Sequence, residues 1–247
     1  MRELLEKALK AFNASSDYVQ KILNELELIG VTELRSEGPV QLYTGVNVVG
    51  KGQNSVVVRG VLLGMYDCVC KILRPDASRQ DLLHEARALI CANSVGVGPR
   101  LYTFTRHVLV MEYVRGQTLD EWVKANPQDS DIKKLVQNLL EQCFRLDQVG
   151  LVHDELSRPR EHVIVREDLT PCIIDFETSS FETSGKRTNL TQILNALVLG
   201  GSETAQIIRS RLGLTEEKMR QLRQLLSMYK QERTQDLFRE ILRIVIG

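Results

Sequence analysis

At 247 residues the chain is long enough for one large domain or two small ones, each with a real core. Its 32 basic and 32 acidic residues balance, and with 43% hydrophobic and 26% charged residues it reads as a soluble globular protein with no advertised nucleic-acid or membrane partner. No apolar run approaches the ~20 residues of a bilayer span, the start MRELLEKALK is too charged for a signal peptide, and the odd set Cys68, Cys70, Cys91, Cys143 and Cys172 without a CxxC pair points to reduced thiols in the cytoplasm.

Residues 2–12 carry Leu4, Leu5, Ala8, Leu9 and Phe12 at helical spacing. A second helix, capped by Asp17, uses Val19, Ile22, Leu23, Leu26 and Ile29 and stops at Gly30. Two short helices with a tight turn are also the outline of a helix-turn-helix. However, residues 1–37 hold five basic and seven acidic side chains, which would repel phosphate, so a helical brace on the next domain is the preferred reading.

From Tyr43 to Leu73 valine-rich β segments dominate, with turn signals at Gly50, Gly52 and Gly64. Residues 78–92 read as a helix starting near Ser78, with Asp76 or Ser78 as its cap. "RLYTFT" and "RHVLVMEYV" form a further β pair. Asp129 or Ser130 caps a helix with Ile132, Leu135, Val136, Leu139, Leu140, Cys143 and Phe144 on one stripe, ended by Gly150. "HVIV" and "PCIIDF" are short strands, and from about Asn189 onward the chain reads as three or four helices. The order is a helical pair, then β, then mostly α, which implies two lobes with a hinge near residues 112–118.

Taken singly, each polar feature has an ordinary explanation. "GKGQNSVV" fits a hairpin turn, and a dinucleotide fold is disfavoured because a strand, not a helix, follows the glycines. Lys71 in "CVCKIL" fits a snorkelling edge lysine, Glu85 a solvated helix position, and Asp175 a turn. Their order is more telling. A glycine flap precedes a strand lysine, a helix glutamate, "VMEYVRGQTL", a His-acidic loop and an apolar strand ending in Asp-Phe.

Over roughly residues 43–200 this series resembles the protein kinase fold. It is most similar to small atypical kinases such as the RIO family and the compact kinase of the KEOPS complex, and to a group of predicted Ser/Thr kinases with a short helical N-terminal extension. The resemblance implies an α+β bilobal fold, with an antiparallel-sheet N-lobe over about 38–114 and a mainly helical C-lobe over about 115–247, preceded by the helical pair of 1–37. It implies ATP with Mg2+ or Mn2+ as cofactors. Backbone amides near Gly50 and Gly52, with Ser55, would contact phosphates; Lys71 would pair with Glu85; Met111, Glu112 and Val114 would line the adenine hinge; and Asp175 would hold the metal.

The catalytic loop departs from H-R-D-x-x-x-x-N. It reads "VHDELSRPREHVIV", so His153 is followed by Asp154 and Glu155 as rival base candidates. A simple count puts Arg160 at the asparagine position; counting back from Asp175 puts His162 there, in a loop two residues longer and bent at Pro159, with a plain strand start as its alternative role. Glu177 replaces the glycine after Asp-Phe, which predicts a fixed Asp175. No proline follows Pro171, and "ETSSFETSGKRTNLTQIL" is too short for the usual peptide-docking platform.

The leading expectation is transfer of the γ-phosphoryl group to a protein serine or threonine, including autophosphorylation. A small-molecule kinase, a nucleotide-binding pseudokinase scaffold and a nucleic-acid adaptor are the alternatives, the last opposed by the acidic N-terminal helices.

Overall fold

The structure, a computed structural model, describes residues 1–182 and 187–247. The chain divides into two compact units: Met1–Ile90 with Pro99–Tyr113, and Cys91–Gly98 with Val114–Gly247.

The first unit opens with α1 (Arg2–Lys10) and α2 (Ser16–Leu28). Ser15, not Asp17, caps α2: its side chain accepts from Tyr18 N, while Asp17 sits in the first turn, where its charge suits the helix dipole. β1 (Val31–Arg35), β2 (Val40–Gln41), β3 (Asn47–Val48), β4 (Gly50–Lys51), β5 (Ser55–Leu62) and β6 (Tyr66–Leu73) follow. After α3 (Leu83–Ser94), β7 (Leu101–Phe104) and β8 (Val108–Glu112) complete an antiparallel sheet of order β1-β5-β6-β8-β7, with β4 added beside β5.

One face of that sheet is covered by the two N-terminal helices. Leu5, Leu9, Phe12, Ile22 and Leu26 share a core with Val56, Val58, Cys70, Ile72, Val108 and Val110. Each large aliphatic side chain buried this way contributes roughly 1.5–3 kcal/mol, so the helical pair is built into the sheet's core. A polar pin reinforces it. Glu25 on α2 accepts from Thr105 Oγ1 and from the backbone N–H of His107, and its Oε1 lies 2.6 Å from His107 Nδ1. Lys21 Nζ donates to His107 Nε2 at 3.1 Å, which assigns the ring proton to Nδ1.

α3 begins at Leu83, later than the expected Ser78. Ser78 is committed elsewhere: its N–H and hydroxyl both donate to Asn54 Oδ1, at 3.1 and 2.9 Å. Asp81 then accepts from Leu83 N at the true start of the helix.

The second unit contains β9 (Gln117–Thr118), α4 (Leu119–Lys124), α5 (Asp129–Gln148), β10 (Leu151–Val152), α6 (Pro159–His162), β11 (Val163–Val165), β12 (Pro171–Ile173), β13 (Ser180–Phe181), α7 (Asn189–Leu194), α8 (Glu203–Arg211), α9 (Glu216–Tyr229) and α10 (Gln235–Ile246). The stripe read on α5 is buried from Ile132 to Cys143, with Phe144 half-buried, but Gln128 precedes the helix without a side-chain cap, and Asp129 lies inside it. β11 pairs with both β12 and β9, a small sheet that carries the loop residues discussed below. No helix among the described residues is long and apolar enough to cross a membrane.

Candidate active site

In the first unit the glycine flap is a β4–β5 hairpin, with Gly50 opposite Val57 and Lys51 opposite Val56. Its turn is closed by Gly52 N donating to Ser55 O at 2.8 Å. The fold does not itself require glycine here. Neither Gly50 nor Gly52 has a positive φ, and a Cβ at either would meet only ordinary contacts, at 3.9 Å from Val57 and 3.5 Å from Ser55 Oγ. Gly38 is different: φ is +137° and a Cβ would lie 2.2 Å from Val48 O, so that glycine is structural.

Lys71 and Glu85 are both buried, and Lys71 Nζ donates to Glu85 Oε1 at 2.8 Å. The lysine comes from β6 and the glutamate from the first turn of α3. A buried carboxylate and ammonium persist only when paired, so neither the snorkelling lysine nor the solvated glutamate describes this chain. Ser55 is buried at the start of β5. Met111 and Glu112 end β8, where Glu112 N donates to Arg100 O and Glu112 Oε2 accepts from Arg100 N. Val114 is the first residue of the second unit after Tyr113.

In the second unit two histidines fix the peptide before Asp175. His153 is fully buried; its Nε2 donates to Ile174 O at 2.9 Å, and its Nδ1 accepts from Glu155 N. Burial holds its pKa below the ordinary histidine value, consistent with that neutral tautomer. The carbonyl of His162 accepts from Ile174 N at 2.9 Å. Asp175 itself has φ 65° and ψ 72°, a left-handed conformation that a non-glycine residue adopts at some cost. Phe176 anchors the next step, buried and edge-on to His153 at 5.2 Å.

Asp154 and Glu155 point to different partners. Asp154 pairs with Arg187 Nη1 at 2.6 Å, and Arg187 also contacts Glu182. Glu155 accepts from Thr178 Oγ1 at 3.0 Å, pairs with Arg158, and its Oε2 lies 3.9 Å from His162 Nε2. His162 does not begin a strand; it ends α6, whose first position is Pro159, the helix position proline suits best. The two extra loop residues are thus taken up as a helical turn. His162 is buried against the edge of His153, at 5.2 Å between ring centroids, and neither of its ring nitrogens has a hydrogen-bond partner among the described residues. Arg160 is exposed and faces Glu161. Of the segment after Asp175, residues 183–186 lie outside the described residues.

A buried polar cluster behind this loop has no signature in the sequence. Asp147 Oδ1 accepts from Asn189 N and Nδ2 at 2.7 and 2.8 Å, and Oδ2 accepts from Leu190 N and from Tyr229 OH. Asn189 in turn accepts from His153 N at 2.8 Å and donates to Leu151 O at 2.7 Å. α5, α7 and α9 are thereby tied to the main chain of Leu151 and His153.

Residues 68–187 match the family model described as the RIO domain. Those residues, just under half of the chain, are similar to the RIO domain of the atypical kinase class, and the fold that carries them is mixed α/β. Among solved structures, the Cydia pomonella granulovirus kinase PK-1 is similar over 69% of this chain and 59% of its own, at 18% identity and a TM-score of 0.48, so the chain spans less than two thirds of that protein. A search of curated proteins finds no match.

Proposed function

We propose that the chain is an ATP-dependent atypical kinase that transfers the γ-phosphoryl group to a protein serine or threonine. The observation that carries this reading is the buried Lys71–Glu85 pair, whose lysine stands in the same sheet as a hairpin whose two glycines the fold itself does not require. Glycine at such positions is explained by backbone that must approach a ligand, and a charge-paired lysine is pre-organised to meet phosphate oxygens.

In this reading Gly50, Gly52 and Ser55 face the phosphates, and Met111, Glu112 and Val114 meet the adenine. Asp175 holds the metal, Mg2+ or Mn2+, and its strained backbone, clamped through Ile174, keeps the carboxylate in one orientation. His162 fits as a second ligand because it presents buried ring nitrogens without hydrogen-bond partners among the described residues. The metal, when bound, neutralises charge on the transferring phosphoryl group.

Glu155 is the preferred base, since it lies on the His162 side of the loop whereas Asp154 is turned to Arg187. It takes the proton of the acceptor hydroxyl as that oxygen bonds to the γ-phosphorus. The bond to the β–γ bridging oxygen breaks, and ADP leaves with its electron pair.

A nucleotide-binding scaffold is the second reading, favoured by the engagement of Glu155 with Arg158 and Thr178. Purified protein incubated with radiolabelled ATP, alone and with candidate acceptors, separates the two. Label on protein or acceptor that requires Asp175 supports the kinase; nucleotide binding by calorimetry without any transfer supports the scaffold.

A further inference from the structure

A side chain of the N-terminal helical segment reaches the turn of the glycine flap. Phe12, just beyond α1, is 3% exposed. The guanidinium carbon of Arg74 lies 4.2 Å from its ring centroid, and Lys51 Nζ lies 5.4 Å from it. Lys51 is a flap residue, and Arg74 holds the flap at two points. Its Nη1 donates to Gly52 O at 2.6 Å and its backbone N–H donates to Asn54 O at 2.8 Å. The other edge of the guanidinium is taken by Asp76, at 2.9 and 2.7 Å. One arginine therefore fixes the flap turn, and the aromatic face of Phe12 and the carboxylate of Asp76 fix the arginine.

We infer that Phe12 is a positioning residue for the flap, and that through Arg74 the N-terminal helices set the affinity for nucleotide. The inference rests on the reading of the flap as a phosphate cover. An arginine left free has many rotamers to lose when it orders a neighbour; held beforehand over a ring, it loses fewer, and its bond to Gly52 O is charge-assisted. A flap already ordered in the free protein has less entropy to surrender when nucleotide binds, which raises affinity. A phenylalanine that merely filled the core would affect global stability and leave the flap alone.

The test uses the full chain and the variants Phe12→Leu, Arg74→Met and the double variant, with Leu9→Ala as a core-only control. Leu9 is fully buried in the same cluster, and its bond to Phe12 is through its carbonyl, which accepts from Phe12 N and which a side-chain truncation leaves in place. Hydrogen exchange at residues 51–55 is measured without nucleotide, and binding of ATP with Mg2+ by calorimetry. Phe12→Leu is expected to speed flap exchange and weaken ATP binding by about fivefold, the loss of one partly buried cation–π contact. In the Arg74→Met background Phe12→Leu should add little, because it acts through Arg74. Leu9→Ala should lower Tm without changing flap exchange.

Unchanged flap exchange in Phe12→Leu, or an equal effect with and without Arg74, overturns the inference. Faster exchange with ATP affinity unchanged overturns its nucleotide half. Should Phe12→Leu fail to fold, Arg74→Met alone must still speed flap exchange, or the inference falls. If the wild type binds no ATP, the proposed function fails, and the exchange data still judge the link between Phe12 and the flap.

Discussion

Lys71 and Glu85, 14 residues apart, meet Nζ to Oε1 at 2.8 Å with only 6% and 4% of their side chains exposed. The interval is closed without an early helix. Ser78 is used to tether Asn54, and α3 then starts at Leu83, so that Glu85 falls in its first turn.

Removing the cation alone leaves a buried carboxylate without its charge partner. Lys71→Met should therefore cost about 3–5 kcal/mol in urea denaturation, and Lys71→Met with Glu85→Leu should recover much of it. Both variants should bind ATP at least about tenfold more weakly by calorimetry, since either lacks the cation that meets the phosphates. Wild-type affinity in Lys71→Met would remove Lys71 from the nucleotide site.

The two acidic loop residues should respond unequally. Glu155→Gln removes the proposed base and should lower phosphate transfer by roughly 10²- to 10⁴-fold. Asp154→Asn removes a half-exposed pair with Arg187, and a pair of that kind is worth only ~0–1 kcal/mol, so the loss should stay within about tenfold. Small and equal losses would favour the scaffold reading.

The Asp147 cluster predicts a stability effect and a pH effect. Asp147→Ala strands the donors of Asn189, Leu190 and Tyr229 and should cost several kcal/mol, at ~1–3 kcal/mol for each unsatisfied buried group. Burial, against the opposing hydrogen bonds from Asn189 and Leu190 and the charge of Arg233, pushes the Asp147 carboxyl from 3.8 up to about 6, with Cys143 and Tyr229 OH also facing it. Between those values the folded chain keeps a proton that the unfolded chain releases. The group's contribution to stability is thus fully present below about pH 4, declines as pH rises to about 6, and is level above. Asp147→Asn should abolish that decline in Tm measured between pH 4 and 7. If the decline persists unchanged, another group causes it.

The sequence made the order of elements legible because hydrophobic periodicity and turn residues are local. Valine alternation marks β5 and β6, and the apolar stripe marks α5. Lys71 and Glu85 stood out through their place in that order. What escaped were polar partnerships between residues distant in the chain. Asn54 takes over Ser78 and delays α3; Asp147 gathers Asn189 and Tyr229; Arg187 claims Asp154. Asn189 opens α7, which Thr188 caps, and nothing local says that its side chain supports His153. The turn of α6 did leave a signal, since Pro159 is well suited to a first helical position, but it reads equally as a bend.

His162 yields the last prediction. Its carbonyl is already used by Ile174 N, so the backbone is placed by the strand that leads to Asp175, while the ring is buried with nitrogens that no described residue satisfies. Magnesium prefers hard oxygen ligands in a near-ideal octahedron and keeps several waters; manganese accepts an imidazole nitrogen more readily. Transfer from ATP should therefore be faster with Mn2+ than with Mg2+ at equal concentration. His162→Asn supplies a carbonyl oxygen in place of nitrogen and should move the ranking towards Mg2+. The comparison is made by initial rates with each metal, together with direct Mn2+ binding followed by paramagnetic resonance, which reads the ligand change even if turnover is slow. An identical metal ranking and identical Mn2+ affinity in wild type and His162→Asn would leave His162 as a packing partner of His153, with Asp175 alone among the named residues to hold the ion.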